Sequence, residues 1–162
     1  MPADIAPPFA RPSGYFKAPF GQVAIYDDGH LVHKLSYLPQ VDVDVQPTHL
    51  THEVKAQLTA YLESSGFRFD LPLAPQGTRF QLRVWQALSE IPVGSVQSYS
   101  ELADRLGSAA RAVGGACRRN PLPWIVPCHR IVSKTGIGGF AGATDGALID
   151  VKSWLLKHEG AI

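Results

Sequence analysis

The chain has 162 residues, 45% hydrophobic and 18% charged, a globular composition long enough for one domain or two small ones. No run of about 18 apolar residues could cross a bilayer, and the start Met1-Pro2-Ala3-Asp4-Ile5-Ala6-Pro7-Pro8 lacks the basic and apolar regions of a signal peptide, so a cytoplasmic protein with a loose, Pro-rich tail and no membrane partner is expected. Net charge is only +1, but residues 1–78 hold five Lys and Arg against eight Asp and Glu, while residues 79–162 hold ten against six.

In the first half, Tyr15-Phe16-Lys17, Gln22–Tyr26 and Leu31–Leu38 read as strands broken at Pro19-Phe20-Gly21 and Asp27-Asp28-Gly29. An Asp-Gly step between apolar runs is a hairpin signal, so an antiparallel meander is expected. Leu50, Val54, Leu58, Tyr61 and Leu62 recur at helical spacing behind a Thr48 cap and before the stop Ser64-Ser65-Gly66, giving a helix to cover the sheet. Phe67–Leu71 alternates with period two and is expected to be a further strand, and residues 39–49 and 72–77 to be loops, the second a domain boundary. His30, His33, His49 and His52 have ligand potential, but a pair at spacing three with no cysteine nearby does not make a tetrahedral site. No metal is expected there.

The second half is helical. Thr78 caps a helix through Phe80, Val84, Trp85, Leu88 and Ile91, and Pro92-Val93-Gly94 follows it. Ser98 with Glu101 has capping-box spacing and opens a helix that stops at Leu106-Gly107. Ser108 is then expected to cap a third helix over residues 109–119, which completes the outline of a helix-turn-helix. Gly114-Gly115 costs about 1 kcal/mol per glycine in mid-helix, which close approach of a helix or a nucleic-acid backbone would justify. Ala109, Ala110, Ala112 and Ala116 leave Arg111 as the projecting side chain at the helix start. With Arg118, Arg119, Arg130 and Lys134 it forms a basic cluster suited to an anionic partner such as nucleic acid.

The apolar run Ile125-Val126-Pro127-Cys128-His129-Arg130-Ile131-Val132 reads as strand-like, interrupted by a thiol and an imidazole on a segment that Pro127 stiffens. A buried inert cysteine is the commoner state of a free thiol, and Cys117, in a helix with no base beside it, fits that description. No disulfide is expected between the two in a reducing compartment. A glycine-rich loop, residues 136–142, follows, and the last helix carries Ala147, Leu148, Val151, Trp154, Leu155 and His158 on one side. Glu159 lies at that helix's negative end, where a carboxylate needs a specific partner, and His129 is the imidazole of interest.

Asn120-Pro121-Leu122-Pro123-Trp124-Ile125-Val126-Pro127-Cys128-His129-Arg130 closely resembles the active-site signature of the O6-alkylguanine-DNA alkyltransferases. Phe80-Gln81-Leu82-Arg83-Val84-Trp85, Tyr99, Ala110-Arg111-Ala112-Val113-Gly114, and Trp154-Leu155-Leu156 with His158-Glu159-Gly160 match further family motifs in order, so the resemblance covers about residues 78–160 firmly. It implies an α+β fold: residues 1–77 as an RNase H-like scaffold, an antiparallel sheet with a covering helix, and residues 78–162 as a winged helix-turn-helix-like domain carrying DNA binding and the active site. It also implies direct DNA repair, the irreversible transfer of an alkyl group from O6-alkylguanine, and from O4-alkylthymine, to Cys128 with one turnover and no cofactor. The partner implied is double-stranded DNA carrying the lesion, bound by a monomer that can assemble cooperatively.

The resemblance carries roles over to particular residues. Cys128, His129 and Glu159 resemble a Cys-His-acid triad with a water inserted, the imidazole supplying the base that a thiol needs. Asn120 corresponds to the asparagine that fixes the turn before the active site, and Tyr99 to the tyrosine that protonates or polarises the guanine ring nitrogen and crowds the phosphate. Arg111 matches the arginine that fills the gap left by a flipped nucleotide, with Ala109, Ala112 and Gly115 on the face that enters the minor groove. Pro123, Trp124, Val126, Gly139, Phe140 and Ala141 match the alkyl-guanine pocket. The sequence departs from the pattern in a short Leu106-Gly107-Ser108 connection, in Phe140 where a tyrosine is common, and in an insertion at Ala143-Thr144-Asp145-Gly146; cysteines for a structural zinc site are not found in the first half. Competing expectations are an alkyltransferase-like damage sensor, which would lack the reactive cysteine, a winged-helix regulator, and a Cys-His hydrolase.

Overall fold

A computed structural model describes residues 11–41, 44–139 and 146–162, and the chain divides into two compact units, Met1–Pro75 and Gln76–Ile162. No helix among the described residues is long and apolar enough to cross a membrane. The fold is the α+β arrangement expected.

In the first unit β1 (Gly14–Ala18), β2 (Gly21–Asp27) and β3 (Val32–Tyr37) form an antiparallel sheet in the order β1-β2-β3. Gly21 adopts φ +130° at the first turn and Gly29 φ +90° at the second, conformations that L side chains rarely take. Helix α1 (His49–Glu63) begins with a reciprocal cap, Thr48 accepting from the Thr51 N–H and Thr51 from the Thr48 N–H. It packs on β2, burying Leu50, Val54, Leu58 and Tyr61. Val54 and Leu58 are fully enclosed, each contributing about 1.5–3 kcal/mol of apolar burial. Asp27, 5% exposed at the end of β2, accepts hydrogen bonds from the Ser13, Thr48 and Thr51 hydroxyls and the Gly29 N–H, so one carboxylate ties the sheet to the helix cap.

One expectation for this unit fails. Phe67–Leu71 is not a strand: the Gln57 side chain satisfies both the N–H and the carbonyl of Asp70, and Phe69 stacks on Tyr61, so side chains of α1 replace a strand partner. Residues 72–77 form no helix or strand, as expected of a loop, and Leu73 makes an isolated parallel bridge to Val32.

In the second unit α2 (Arg79–Ser89) is capped by Thr78 with Gln81, and α3 (Tyr99–Leu106) by Ser98 with Glu101. Gly107, at φ +64°, ends α3, and the Ser108 N–H reaches back to the Ala103 carbonyl. Helix α4 (Ala110–Arg118) follows, but its N-cap is Ala109 with no side-chain hydrogen bond, so Ser108 is not the cap. Ser108 is drawn into the C-terminal turn of α3 instead. Trp85 Nε1 donates to the Ala116 carbonyl at 2.9 Å, and Arg83 to the Leu106 carbonyl at 3.2 Å, so α2 fixes both helices of the helix-turn-helix.

The segment 125–132 is mostly not a strand. Pro127 has φ −80° and ψ +67°, and the Cys128 N–H bonds the Val126 carbonyl at 2.8 Å, an inverse γ-turn. A single 3-10 turn, Cys128–Arg130, comes next; Val126 makes an isolated bridge to Pro123, and Ile131–Val132 (β5) pairs, in parallel, with Gln97–Ser98 (β4). The proline converts an apolar run into a turn. Helix α5 (Ala147–His158) completes the unit, burying Val151, Lys152, Leu155 and Leu156. Trp154 and His158 are only half-buried and stack on each other, 4.9 Å between centroids, rather than joining that core.

Candidate active site

Cys128 is 5% exposed and His129 fully buried, both fixed by the turn after Pro127. His129 Nε2 lies 2.8 Å from Glu159 Oε2, and Glu159, the C-cap residue of α5, is itself buried. A carboxylate accepts, so Nε2 carries the proton and Nδ1 keeps its lone pair. Among the described residues Nδ1 has no hydrogen-bond partner. Burial holds the imidazole pKa below its ordinary value, against the upward pull of Glu159. The ring is therefore a neutral base at pH 7.

Arg130 belongs to this assembly and not to a basic surface. Its Nε donates to Glu159 Oε1 at 2.9 Å and a terminal nitrogen to Oε2 at 3.0 Å, while the other terminal nitrogen donates to the Ile91 carbonyl at 2.7 Å. At 9% exposure it is an internal countercharge, which corrects its assignment to the nucleic-acid-facing cluster. A two-bonded guanidinium balances the carboxylate and fixes its orientation.

Asn120 accepts from the Leu122 N–H and donates to the Val126 carbonyl, both at 2.9 Å, which closes the turn that presents the thiol. Within that turn Trp124 adopts φ +78°, with Pro123, Trp124 and Val126 buried. Burial pushes the Cys128 thiol up to about 11, while the Asn120 side chain and the Lys152 charge draw it down. A thiol so placed stays neutral until a base takes its proton. Tyr99 opens α3, and its hydroxyl donates to the Gly139 carbonyl at 3.4 Å. Burial raises the phenol to about 12, so it remains a proton donor at neutral pH. Gly138 adopts φ +78°, and a Cβ there would stand tightly, 3.1 Å from the Ser133 backbone nitrogen and 3.3 Å from the Tyr99 ring.

On α4, Val113, Ala116 and Cys117 face inward, whereas Ala109, Arg111, Ala112 and Gly115 are exposed at helical spacing. A Cβ on Gly114 would make ordinary contact with the Tyr99 ring, and one on Gly115 would meet nothing. No protein neighbour among the described residues therefore demands Gly115. Phe140, Ala141 and residues 143–145 lie outside the described residues. Lys152, which sequence reasoning missed, is fully buried on α5 with Nζ bonded to the Ile131 and Gly139 carbonyls. A lysine interrupting an apolar stripe beside Val151 was the available signal.

A family model described as 6-O-methylguanine DNA methyltransferase, DNA binding domain, matches residues 79–161. A methylated-DNA–protein-cysteine methyltransferase of Methanosarcina acetivorans is 37% identical over 155 residues, covering 90% of this chain and 96% of that protein. The chain belongs to the methylated-DNA–protein-cysteine methyltransferase family. The fold agrees with that of solved members: the O6-methylguanine methyltransferase of Mycobacterium tuberculosis superposes with a TM-score of 0.75 at 34% identity over 91% of each chain. The same bacterium's OGT in complex with DNA gives 0.74 at 36% identity, again over 91% of each chain. The span matched to the methyltransferase domain contains the thiol, the His129–Glu159–Arg130 chain, Asn120, Tyr99, Lys152 and the whole of α4.

Proposed function

We propose that this protein repairs alkylated DNA directly, taking the alkyl group of O6-alkylguanine, and of O4-alkylthymine, onto Cys128. The observation that carries the reading is the buried thiol followed by an imidazole whose Nε2 engages Glu159 and whose Nδ1 is left as a base. A water between Nδ1 and the thiol relays the proton to His129, and the Glu159–Arg130 pair receives the imidazolium. The thiolate attacks the alkyl carbon, the S–C bond forms as C–O6 breaks, and the electron pair leaves with guanine. Tyr99 delivers its proton to the guanine ring. The resulting thioether has no good leaving group, so each molecule acts once.

Reaching that carbon requires the nucleotide to leave the stack. The exposed small face of α4 suits close approach to a minor groove, with Arg111 filling the vacated space and Ala109, Ala112 and Gly115 against the backbone. Pro123, Trp124, Val126 and Gly139 line the alkyl-guanine pocket in this reading. The second unit carries DNA binding and chemistry, the first is a scaffold, and the protein works in the cytoplasm, on the nucleoid in a bacterium, as a monomer that can assemble cooperatively on DNA.

The test is mass spectrometry after incubation with a duplex carrying O6-methylguanine. The protein should gain one methylene, located in the Cys128 peptide, while guanine is restored in the DNA. Binding without a mass gain would identify a damage sensor and sink the repair reading.

A further inference from the structure

The motif Phe80-Gln81-Leu82-Arg83-Val84-Trp85 on α2 is only partly accounted for by the fold. Val84 and Trp85 are core, Gln81 closes the helix cap and Arg83 donates to the Leu106 carbonyl, but Leu82 points outward, 42% exposed. Arg79, Leu82, Arg83, Gln86 and Glu90 recur at helical spacing as an exposed stripe that runs the length of α2, about 16 Å. Beside this stripe Ala87 and the end of α3, Arg105 and Leu106, complete an open groove of about 600 Å³.

The groove has an apolar floor and a cationic rim. Leu82 alone on a surface would mean little, but Ala87 and Leu106 continue it, and the aliphatic stems of the arginines extend it further. Three arginines stand against one glutamate. Arg105 is paired with Glu90 at 3.1 Å, whereas among the described residues Arg83 meets only a neutral carbonyl and Arg79 makes no ion pair. Positive charge is therefore left unbalanced along the groove, in a chain whose formal net charge is only +1. A DNA backbone would satisfy the charges but not the leucines, and a small ligand would not match a stripe of about three turns. The combination suits a helix with leucine-type side chains on one face and carboxylates along its edges.

We propose that the α2–α3 groove is a docking site for an acidic amphipathic segment of a partner protein, its apolar side chains on Leu82, Ala87 and Leu106 and its carboxylates on Arg79 and Arg83. None of these residues belongs to the thiol site or to the exposed face of α4, so the inference stands or falls without the repair reading. The groove still reaches the helix-turn-helix. Leu106 lies three positions before Ala109, so a docked partner is held at the turn between α3 and α4.

The full-length protein should be titrated by fluorescence anisotropy against three fluorescein-labelled helical peptides, at low and at physiological salt. The first carries leucines along one face and glutamates elsewhere, the second has the same composition with the leucines scattered, and the third replaces each glutamate by lysine. The first should bind saturably, roughly tenfold more tightly than the other two, and more weakly as salt rises. Arg79→Ala and Leu82→Ser should each weaken that binding about tenfold while thermal unfolding stays near wild type. In NMR spectra of isotope-labelled protein the peptide should shift the amides of residues 79–90 and 105–106 and spare those of α4. No saturable binding, equal binding of the scattered peptide, or a Leu82→Ser variant that binds as the wild type does would overturn the inference. Shifts confined to α4, with duplex DNA displacing the peptide, would make the peptide a mimic of DNA and overturn it equally.

Discussion

Arg130 separates two explanations of the buried carboxylate. If Glu159 only orients His129, its partner could be any donor; a guanidinium held by two bonds implies that the charge itself is managed. Arg130→Met strands a buried carboxylate and should cost about 3–5 kcal/mol in urea unfolding. Glu159→Gln should be similarly unstable and, having lost the acceptor for the imidazolium, should transfer alkyl groups more slowly. Removing both charges together should recover stability without recovering transfer, and a double mutant as unstable as the sum of the singles would contradict a direct pairing. Sequence order put Glu159 opposite His129 through the helix-end argument, but nothing local could show that Arg130 turns inward. Its partner is 29 positions away, and an arginine in a basic neighbourhood reads as surface.

Among the elements, the helix-turn-helix was legible because its signals are local. Ser98 with Glu101 and Gly107 at the stop appear where spacing placed them. Ser108 failed as a cap because the backbone of a glycine-ended helix claims the next residue too. The supposed strand at 67–71 shows a second limit, since alternation names a pattern of exposure and Gln57 can serve a backbone as well as a strand can. The exposed face of α4 carries its own prediction. Arg111→Ala should cut repair of duplex O6-methylguanine at least tenfold while leaving reaction with free O6-benzylguanine base near wild type, measured as active protein remaining over time. Equal losses on both substrates would rule out a role in flipping.

At the scale of the molecule, each unit contains a buried titratable hub, and the two respond to acid in different ranges. Burial lowers the His129 pKa, so below about 6.5, the unfolded value, the unfolded chain binds a proton that the native site resists. The second unit therefore loses stability as pH falls through that range. Asp27 behaves otherwise: burial raises its pKa, but the hydroxyls of Ser13, Thr48 and Thr51 and the Gly29 N–H outweigh this and hold it below the usual carboxylate range. Its contribution is complete above about pH 4 and declines only as pH falls further. All three tryptophans, Trp85, Trp124 and Trp154, belong to the second unit. The urea midpoint followed by tryptophan fluorescence should begin to fall between pH 6.5 and 5, with the tyrosine-weighted signal of the first unit holding until near pH 4. Coincident declines would reject the assignment of separate hubs.

The inverse γ-turn at Pro127 also bears on which reactions the thiol can perform. Cysteine enzymes that cleave esters or amides stabilise an oxyanion, commonly with the N–H of the nucleophile's own residue. In this chain that N–H is spent on the Val126 carbonyl. Displacement at a saturated carbon develops no tetrahedral oxyanion and needs no such donor. The local backbone thus favours alkyl acceptance over acyl transfer before any DNA is bound.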